Sequence, residues 1–449
     1  MADEIGPQDS NTTRTTLERL SVECLAEAKA HGASACEAAA SFEEGLSVGV
    51  RLGEVETVEY QRDRSVGVTV YFGKRKGSAS TADFSPSAVR ETVAAACRIA
   101  RHTAEDPHVG LADPALLATD VPDLDLDHPW ALAPEDAIAL ATRAEDAARS
   151  ADTRIVNSEG GSCSSHRGLR CYVNSDGFVG HAAGTQHSIS CVVIAGRNGA
   201  MQRDWWHTVG RASGDLAAPE EVGRKAASRA LQRLGARRLK TLHAPVIYAP
   251  EVSRSLIGHL LSAIVGSSQY RRSSFLLDAL GDQVLPATVT VYEDPLRLRG
   301  LASAAFDAEG VATCARDIVR DGVLETYLLD SYAARRLGRQ ATGHAGGWTN
   351  VMVDGQGTRA ELASKMGTGL LVTELMGHGV NIVTGDYSRG AAGFWIEGGE
   401  IAYPVEEITI AGNLRDMLRG IVAVGADRDE QYAVQVGSIV IDRMAVAGE

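Results

Sequence analysis

The chain has 449 residues, of which 44% are apolar, and carries a formal charge of −14; this length allows about two or three domains with sizeable cores. The negative charge argues against binding to nucleic acid, which needs a basic surface to neutralise phosphates, and against attraction to an anionic membrane. Because no apolar run reaches the roughly 18 residues of a membrane span and the polar N-terminus lacks a signal-peptide core, we expect a soluble cytoplasmic protein.

The first half of the chain shows the same succession of patterns twice. Apolar residues at helical spacing, alternating strand patterns and Pro or Ser caps mark the elements. The predicted elements are a helix over 15–31, strands over 35–50, 55–61 and 65–72, helices over 85–102 and 134–150, a β-rich region over 153–211 and a basic helix over 219–234. A long surface connection at 103–132 separates the two sets. We therefore predict two related helix–strands–helix units, although no sequence period relates them.

The pattern changes near residue 240, and beyond about residue 285 the chain is mostly β, with many turn glycines. The predicted elements of this half are a strand over 246–248 and helices over 251–265, 331–338 and 359–366. We predict an α+β fold with two domains. The N-terminal domain, 1–239, contains mixed helix and sheet layers, and the C-terminal domain, 240–449, is rich in antiparallel sheet.

The segment over 381–412 carries the most specific sequence pattern. Its apolar and polar residues alternate and are interrupted by glycine pairs, which predicts short antiparallel strands joined by tight turns. Its residue sequence, which begins Asn381-Ile382-Val383-Thr384-Gly385-Asp386, resembles the C-terminal signature of the TldD/PmbA family, and specifically that of its PmbA (also called TldE) branch. The run over 271–276 and the loop over 341–350, in which His344 stands where Asn is usual, are also similar to this branch. The resemblance covers about residues 240–448.

This resemblance implies a two-domain α+β fold and a heterodimer or higher heteromer with a zinc-bearing TldD-like subunit. It also implies the hydrolysis of small unstructured peptides as the activity of the complex. A homodimer of this chain alone is the second assembly that we consider. Neither nucleic acid nor a membrane is an expected partner.

The predicted helix over 251–265 decides which kind of subunit this is. In the zinc-bearing branch of the family the corresponding helix carries His-Glu-x-x-x-His, whereas this chain has Arg254, Ser255 and His259 at the matching positions. A guanidinium has no lone pair for a metal, and a serine does not replace a carboxylate as a general base at neutral pH. The zinc branch also uses a cysteine near its C-terminus, and this sequence has no cysteine after Cys314. The resemblance therefore implies a vestigial motif, no metal on this chain and zinc on the partner subunit.

His259 has two interpretations, a histidine of the core or of an interface, and a residue that still contacts substrate. The other candidate substrate-binding residues are Asn350, Asn381, Ser388 and Arg389. We expect an extended peptide to bind by adding a strand to a sheet edge, and this edge is predicted in the β-rich C-terminal domain, which includes the hairpins over 381–412.

Other residue groups favour structural interpretations. The seven cysteines are scattered and odd in number, which is typical of reduced thiols. Four histidines in the β-rich N-terminal region have spacings that match no standard metal set: His166, His181, His187 and His207. The segment over 203–207 contains two adjacent tryptophans, which fit either an aromatic binding surface or an interface.

Three functions remain open from the sequence. The leading hypothesis is the non-metal-binding PmbA/TldE-type subunit of a TldD-like heteromeric zinc metallopeptidase. The second is a subunit of a peptidase or amidohydrolase that matures a peptide-derived or amide-bearing natural product. The third is a non-enzymatic peptide-binding modulator, since the family has been linked to DNA gyrase and to toxin–antitoxin control.

Overall fold

The computed structural model describes residues 10–197 and 199–448. Residues 1–9, the polar start that we do not interpret as a signal peptide, lie outside the described residues. The elements of the first half are α1 (Ser10–Ala30), β1 (Ala35–Arg51), β2 (Glu54–Phe72), β3 (Arg75–Thr81), α2 (Pro86–His102), α3 (Pro134–Arg149), β4 (Ile155–Asn174), β5 (Val179–Arg197), β6 (Ala200–Gly210) and α4 (Pro219–Gln232), with short 3-10 turns at Pro114–Leu116 and Ser213–Asp215.

The first half forms one antiparallel sheet in the order β3-β2-β1-β4-β5-β6. Each half of this sheet is a three-stranded meander with a helix before and after it, so the predicted duplication is confirmed. The two meanders join at the centre, where β1 pairs with β4 from Glu37↔Asn174 to Val50↔Gly161. All four helices cover the same face, because the even-numbered apolar residues of β1 pack with α1 and α2 at one end of the strand and with α3 and α4 at the other.

Small residues let the helices approach closely. The α3 and α4 faces that meet are rich in buried alanines, and Gly223 of α4 lies against the backbone of Ala144 of α3. A Cβ at Gly223 would lie 2.0 Å from the Ala144 carbonyl oxygen, so a larger residue would push the two helices apart.

The sequence prediction is wrong about two strands of this sheet. β2 is one continuous strand rather than two, because the charged residues at 62–64 lie on an exposed part of the strand, where solvent accepts charge on either face. β3 is missed because its sequence is polar and small; its position is set by Gly77, which lies directly under α2.

The elements of the second half are β7 (Leu242–Tyr248), α5 (Pro250–Ile264), α6 (Gly266–Tyr270), β8 (Val291–Glu293), β9 (Arg316–Arg320), β10 (Val323–Leu324), α7 (Ser331–Leu337), β11 (Val351–Val353), α8 (Arg359–Met366), β12 (Gly369–Met376), β13 (Asp386–Glu397), β14 (Glu400–Asn413), α9 (Leu414–Arg419), β15 (Ile421–Val424), β16 (Val434–Gln435) and β17 (Ile439–Ala447). They form a six-stranded sheet in the order β14-β13-β12-β7-β17-β15 and a five-stranded sheet in the order β10-β9-β8-β11-β16. β14 also pairs with β17, which closes part of the larger sheet on itself.

The second half has one large core, in which α5 packs on β7 and its neighbours through Leu256, Ile257, Leu260 and Leu261. Two strand pairs are parallel, β7 with β12 and β11 with β16, and the others are antiparallel. The predicted α+β class is confirmed. Among the described residues, no helix is long and apolar enough to cross a membrane.

The two halves contact each other through buried polar groups. The Arg335 guanidinium donates to the backbone carbonyls of His108, Gly110 and Leu111. Arg211, which follows β6, donates to the carbonyls of Gly300 and Leu301 at 3.1 and 2.6 Å. The last strand of the first sheet ends at Gly210, and the first strand of the second half begins at Leu242. The division of the chain into two domains at residue 239 remains our proposal.

Candidate functional site

Helix α5 presents the residues of the vestigial motif. Pro250 occupies its first turn, where a missing backbone N–H costs nothing, and the apolar side packs into the core. The guanidinium of Arg254 lies over the ring of Tyr432, 4.0 Å from its centroid, and Nε donates to the Glu251 carbonyl. The Ser255 hydroxyl donates to the Val252 carbonyl at 2.7 Å. Both side chains are therefore engaged in contacts that a metal ligand or general base would not make.

His259 lies one turn further along α5 and is half-buried. Its ring meets the buried ring of Tyr387 edge-on, with centroids 6.2 Å apart. Its Nε2 is shielded from solvent and has no hydrogen-bond partner among the described residues. Burial, reinforced by the charge of Arg389, lowers the pKa of His259 to about 4. At neutral pH the imidazole is neutral, and its Nε2 is a buried polar nitrogen that the fold leaves unpaired among the described residues.

Arg389 is brought to His259 by the pleat of β13. Residues two apart on a strand lie on the same face, so Tyr387 and Arg389 share a face and Ser388 points to the other side. Arg389 Nε donates to the Met376 carbonyl at 3.3 Å, which holds the guanidinium across β12. Ser388 is exposed. Of the predicted binding residues, the structure therefore groups His259 with Arg389.

The two predicted asparagines have structural surroundings. Asn350 is 1% exposed; its amide donates to the Asp294 carbonyl and to Ser303 Oγ, and its oxygen accepts from the Ala302 amide. Asn381 is exposed, and its side-chain oxygen accepts from the Val383 amide at 2.9 Å, which forms the turn before β13. Both remain predictions as binding residues, and neither hydrogen-bonds to His259 or Arg389 within the described chain; their side chains bond to residues 294, 302 and 303 and to 383 and 384 instead.

The donor atoms on this chain do not fit a zinc ion at the vestigial motif. Zinc sites use three or four imidazole, thiolate or carboxylate ligands, and here one imidazole is accompanied by a guanidinium and a hydroxyl that is bonded to its own helix. No group of three or more His, Cys, Asp or Glu residues that could hold a metal ion occurs in the described part of the chain.

The four N-terminal histidines have separate partners. His166 contacts Ser47 Oγ, His181 pairs with Glu18, and both ring nitrogens of His187 are bonded, to Ser165 Oγ and the His128 carbonyl. The fourth, on β6, lies between the rings of Trp205 and Tyr432. These contacts support the structural interpretation of all four.

The tryptophan segment on β6 is part of an interface between the two halves. Arg229 of α4 lies over the Trp206 ring and pairs with Asp204 at 2.9 Å and with Glu251, at the start of α5, at 2.7 Å. Asp204 is 5% exposed. This network links the first sheet to the helix that carries His259.

A groove with two adjoining cavities of about 570 and 260 Å³ runs between the first sheet and the second half. The family-like loop over 343–349 lines the smaller cavity, and the start of β5, 179–183, lines the larger one. β6 covers β5 only over 187–197, while the Thr185 amide donates outward to the Leu126 carbonyl. Because backbone direction alternates, the amides and carbonyls of Val179, His181 and Ala183 point the same way, toward the groove. Among the described residues no strand pairs with this side of 179–183, so these residues form an open strand edge.

The hairpins over 381–412, where the sequence predicts a strand edge for peptide binding, do not offer such an edge along β13. β13 is paired on both sides, with β12 and β14, so it offers no edge. The outer side of β14 is met by Arg237, which forms a bridge at Val405, and by β17 over 409–411. That expectation is wrong for β13, because the segment lies within a sheet that closes on itself.

Sequence reasoning missed Glu293 and Tyr432. Glu293 lies beneath the family-like loop and accepts hydrogen bonds from His344 and from the amide and hydroxyl of Thr349. Tyr432 contacts Arg254 from a position far along the chain, and no local pattern marks it. Tyr387 could have been found, because the strand alternation places it beside Arg389.

The comparisons with known proteins agree with this architecture. Models of the PmbA/TldA metallopeptidase match in three parts: domain 1 over residues 36–100, the central domain over 127–234 and the C-terminal domain over 241–448. The metalloprotease PmbA of Escherichia coli O157:H7 is 54% identical over 426 residues, which cover 95% of this chain and 94% of that protein. A PmbA homologue of Haemophilus influenzae is 48% identical and covers 93% of each.

Solved structures share the whole fold. A proposed modulator of DNA gyrase from Bacteroides thetaiotaomicron superimposes with a TM-score of 0.91 at 27% identity, over 96% of this chain and 98% of that one. TldE of Thermococcus kodakarensis, at 20% identity, has the same fold with a TM-score of 0.82 over 96% and 100%. The chain is therefore a metallopeptidase-family protein of α+β fold. It belongs to the PmbA/TldD family, and within it to the PmbA (TldE) branch.

Proposed function

We propose that this chain is the non-metal-binding subunit of a heteromeric, TldD-like zinc metallopeptidase that hydrolyses small unstructured peptides in the cytoplasm. The observation that supports the proposal is the chemistry of α5. Arg254 is stacked on Tyr432, Ser255 is bonded to its own helix, and His259 has neither a second imidazole nor a carboxylate beside it. A helix with these groups offers no ligand set and no general base.

In this proposal the partner subunit holds the zinc, together with the glutamate and the cysteine of the full motif. The residues of this chain bind and orient the peptide. In this proposal, movement of neighbouring side chains exposes the unpaired Nε2 of His259 to a peptide amide, and Arg389 supplies a positive charge near it. The groove and its open β5 edge would hold the main chain of the peptide in an extended form.

Main-chain pairing suits a substrate that is unstructured. A strand edge binds backbone amides and carbonyls whatever the side chains are, whereas a folded protein has already paired these groups internally. An open edge on β5 would therefore select peptides by their lack of structure rather than by their sequence.

The test compares this chain alone, a TldD-like subunit alone and the two together. We expect the isolated chain, purified without a metal-binding tag, to contain almost no zinc and to cleave no peptide, and the mixture to cleave an unstructured peptide much faster than either subunit. About one tightly held zinc per chain, or full activity of the other subunit without this chain, would refute the proposal.

A second candidate function, a peptide-binding modulator without catalysis, is favoured by the same two observations, a groove with an open edge and the absence of a general base at α5. Isothermal titration of the isolated chain with an unstructured peptide separates the two. Binding that persists while no mixture with a TldD-like subunit gains activity would favour the modulator.

A further inference from the structure

The outer half of β2 is an uncovered sheet edge. β3 pairs with β2 from Val66 to Phe72, so within the described residues the run over 54–65 has a neighbouring strand on one side, β1. Every residue from Glu54 to Ser65 is exposed. Three large apolar side chains of the run are exposed, Val55 at 48%, Val58 at 48% and Tyr60 at 61%. A long exposed edge that carries apolar residues is a template for another strand.

The backbone direction of this edge follows from the pairing. β2 pairs with β1 without interruption from Thr57 to Tyr71, and the Tyr71 carbonyl accepts from the Ser34 amide on the β1 side. Odd-numbered residues therefore point toward β1, and the amides and carbonyls of Val58, Tyr60 and Arg62 point outward. Glu56 is skipped by the pairing with β1, because the register shifts at this point.

Val58 and Tyr60 lie on the face of the sheet that the helices cover further inward. Val58 lies opposite Val48 and Tyr60 opposite Leu46, and both β1 residues are buried beneath α3. The apolar face of the sheet thus continues outward onto Val58 and Tyr60, where no helix of the described chain covers it.

Read along the edge, Glu56 at the bulge is followed by the outward residues Val58, Tyr60 and Arg62, which gives the order acidic, apolar, apolar and basic. A two-fold axis perpendicular to the sheet would place the same edge of a second copy antiparallel to it. In the register centred on Glu59, Val58 faces Tyr60 of the second copy, and Glu56 faces Arg62 of the second copy. The edge is therefore complementary to itself in charge and in apolar character.

Glu56 and Arg62 can pair with the same residues of a second copy. Glu56 and Arg62 each have an ion-pair contact within the chain, Arg51–Glu56 at 3.8 Å and Arg62–Glu44 at 4.0 Å. Both contacts are too long for a hydrogen bond, so each charge can still make a closer pair with a second copy. The register has one unfavourable contact, because Glu59 on the axis meets its own copy.

We propose that the edge over 54–65 binds the same edge of a second copy of this chain, which joins two six-stranded sheets into one continuous sheet across a two-fold axis. Val58 and Tyr60 form the apolar centre, and the two symmetric Glu56–Arg62 pairs fix the register. The proposal uses none of the residues around His259 and stands apart from the proposed function.

The test is a charge exchange followed by sedimentation. We expect the wild-type chain to dimerise and Glu56→Arg and Arg62→Glu each to weaken dimerisation by about tenfold or more, because each places two like-charge pairs at the interface. An equimolar mixture of the two variants should recover dimers, since the new arginine at position 56 then faces the new glutamate at position 62, and the remaining wild-type pair is also intact.

Two further variants complete the design. Glu59→Gln should strengthen dimerisation, because it removes the like-charge contact on the axis, and Glu400→Arg, an exposed charge reversal at the tip of the β13–β14 hairpin, should leave it unchanged. A wild-type chain that stays monomeric up to about 100 µM, single variants that still dimerise, or a mixture that stays monomeric would each overturn the proposal. Circular dichroism confirms that every variant is folded.

Discussion

A buried histidine, His344, and a half-buried one, His259, have opposite environments in this protein. His344 lies in the loop over 341–350 with both ring nitrogens bonded, Nδ1 to Thr342 Oγ1 at 2.8 Å and Nε2 to Glu293 Oε2 at 2.8 Å. His259 lies on α5 with Nε2 shielded from solvent and unpaired among the described residues. A satisfied polar group stabilises the structure around it, whereas an unsatisfied one destabilises it unless a ligand completes it. His344 is therefore a structural histidine, whereas His259, like His181 and His207 with their unpaired Nδ1 atoms, has a ring nitrogen that the described fold leaves unused.

The largest expected effect is at the His344 site. Glu293→Ala would leave the His344 ring and both donors of Thr349 buried without an acceptor, and we expect the free energy of unfolding to fall by about 3–5 kcal/mol. Chemical denaturation measures the loss. His344→Asn, which keeps a side-chain donor and acceptor, should cost clearly less. Equal losses in the two variants would mean that the carboxylate is not the centre of the network.

The second prediction concerns pH. His259 has a folded-state pKa of about 4 against an ordinary 6.5, so between these values the unfolded chain binds more protons and stability rises with pH. We expect stability to fall as the pH is lowered from 6.5 to 4, by on the order of 2 kcal/mol from this group after allowance for its partial exposure. Subtracting the denaturation profile of His259→Phe isolates this contribution. A difference profile that is flat over this window would contradict it.

Glu293 contributes to the same profile at lower pH. Burial alone would raise the pKa of Glu293, but the hydrogen bond and charge of His344 and the bonds from Thr349 outweigh it and lower the pKa below 4.5. Its contribution is present above pH 4.5 and is lost as the pH falls through the lowered value. The acid limb of Glu293→Gln should therefore be shallower than that of the wild type.

The third prediction is a smaller change in the free energy of unfolding. His259→Phe replaces a ring that has an unpaired nitrogen with an apolar ring of similar shape, so at pH 7 we expect the unfolding free energy to change by less than about 1 kcal/mol. Peptide affinity should nevertheless fall if His259 binds substrate. Titration calorimetry with the same peptide measures this, and an unchanged affinity would assign His259 to packing.

The smallest effect is a pKa change. Arg389 is the secondary cause of the low pKa of His259, after burial, so Arg389→Ala should raise that pKa while leaving it below 6.5. An NMR titration of the ring protons follows it directly. Arg415→Ala, a change of an arginine that bonds to the Phe275 carbonyl instead, is the matched control. No shift in the Arg389 variant would place the guanidinium too far away to act.

Much of the fold could be predicted from the sequence. Long periodic helices such as α2, α3 and α5 were found within a few residues, because caps, prolines and apolar spacing are local signals. The repeated helix–strands–helix units were also found. β3 was not, because its place depends on contact between Gly77 and α2, which is a tertiary contact that a local pattern does not carry.

The candidate site was only partly predictable. His259 and Arg389 came from motif positions, but their proximity follows from the packing of α5 on β13. Asn350 and Asn381 lie in the family-like loop and signature, but their partners at 294–303 and 383–384 could not be inferred from the sequence. Buried networks such as Glu293 with His344 join residues that are 51 positions apart, and they are visible only in three dimensions.

The central pairing of β1 with β4 also determines how the first sheet can assemble. Every other contact between neighbouring strands in this sheet is a hairpin between consecutive segments, whereas β1 and β4 are separated by two strands, two helices and the connection at 103–132. Closing that loop has the largest entropic cost, so each meander with its helices should form early and their union should limit the folding rate. A chain cut within the connection would then yield two fragments that still recognise each other, because the interface they share is a strand pair rather than a covalent link.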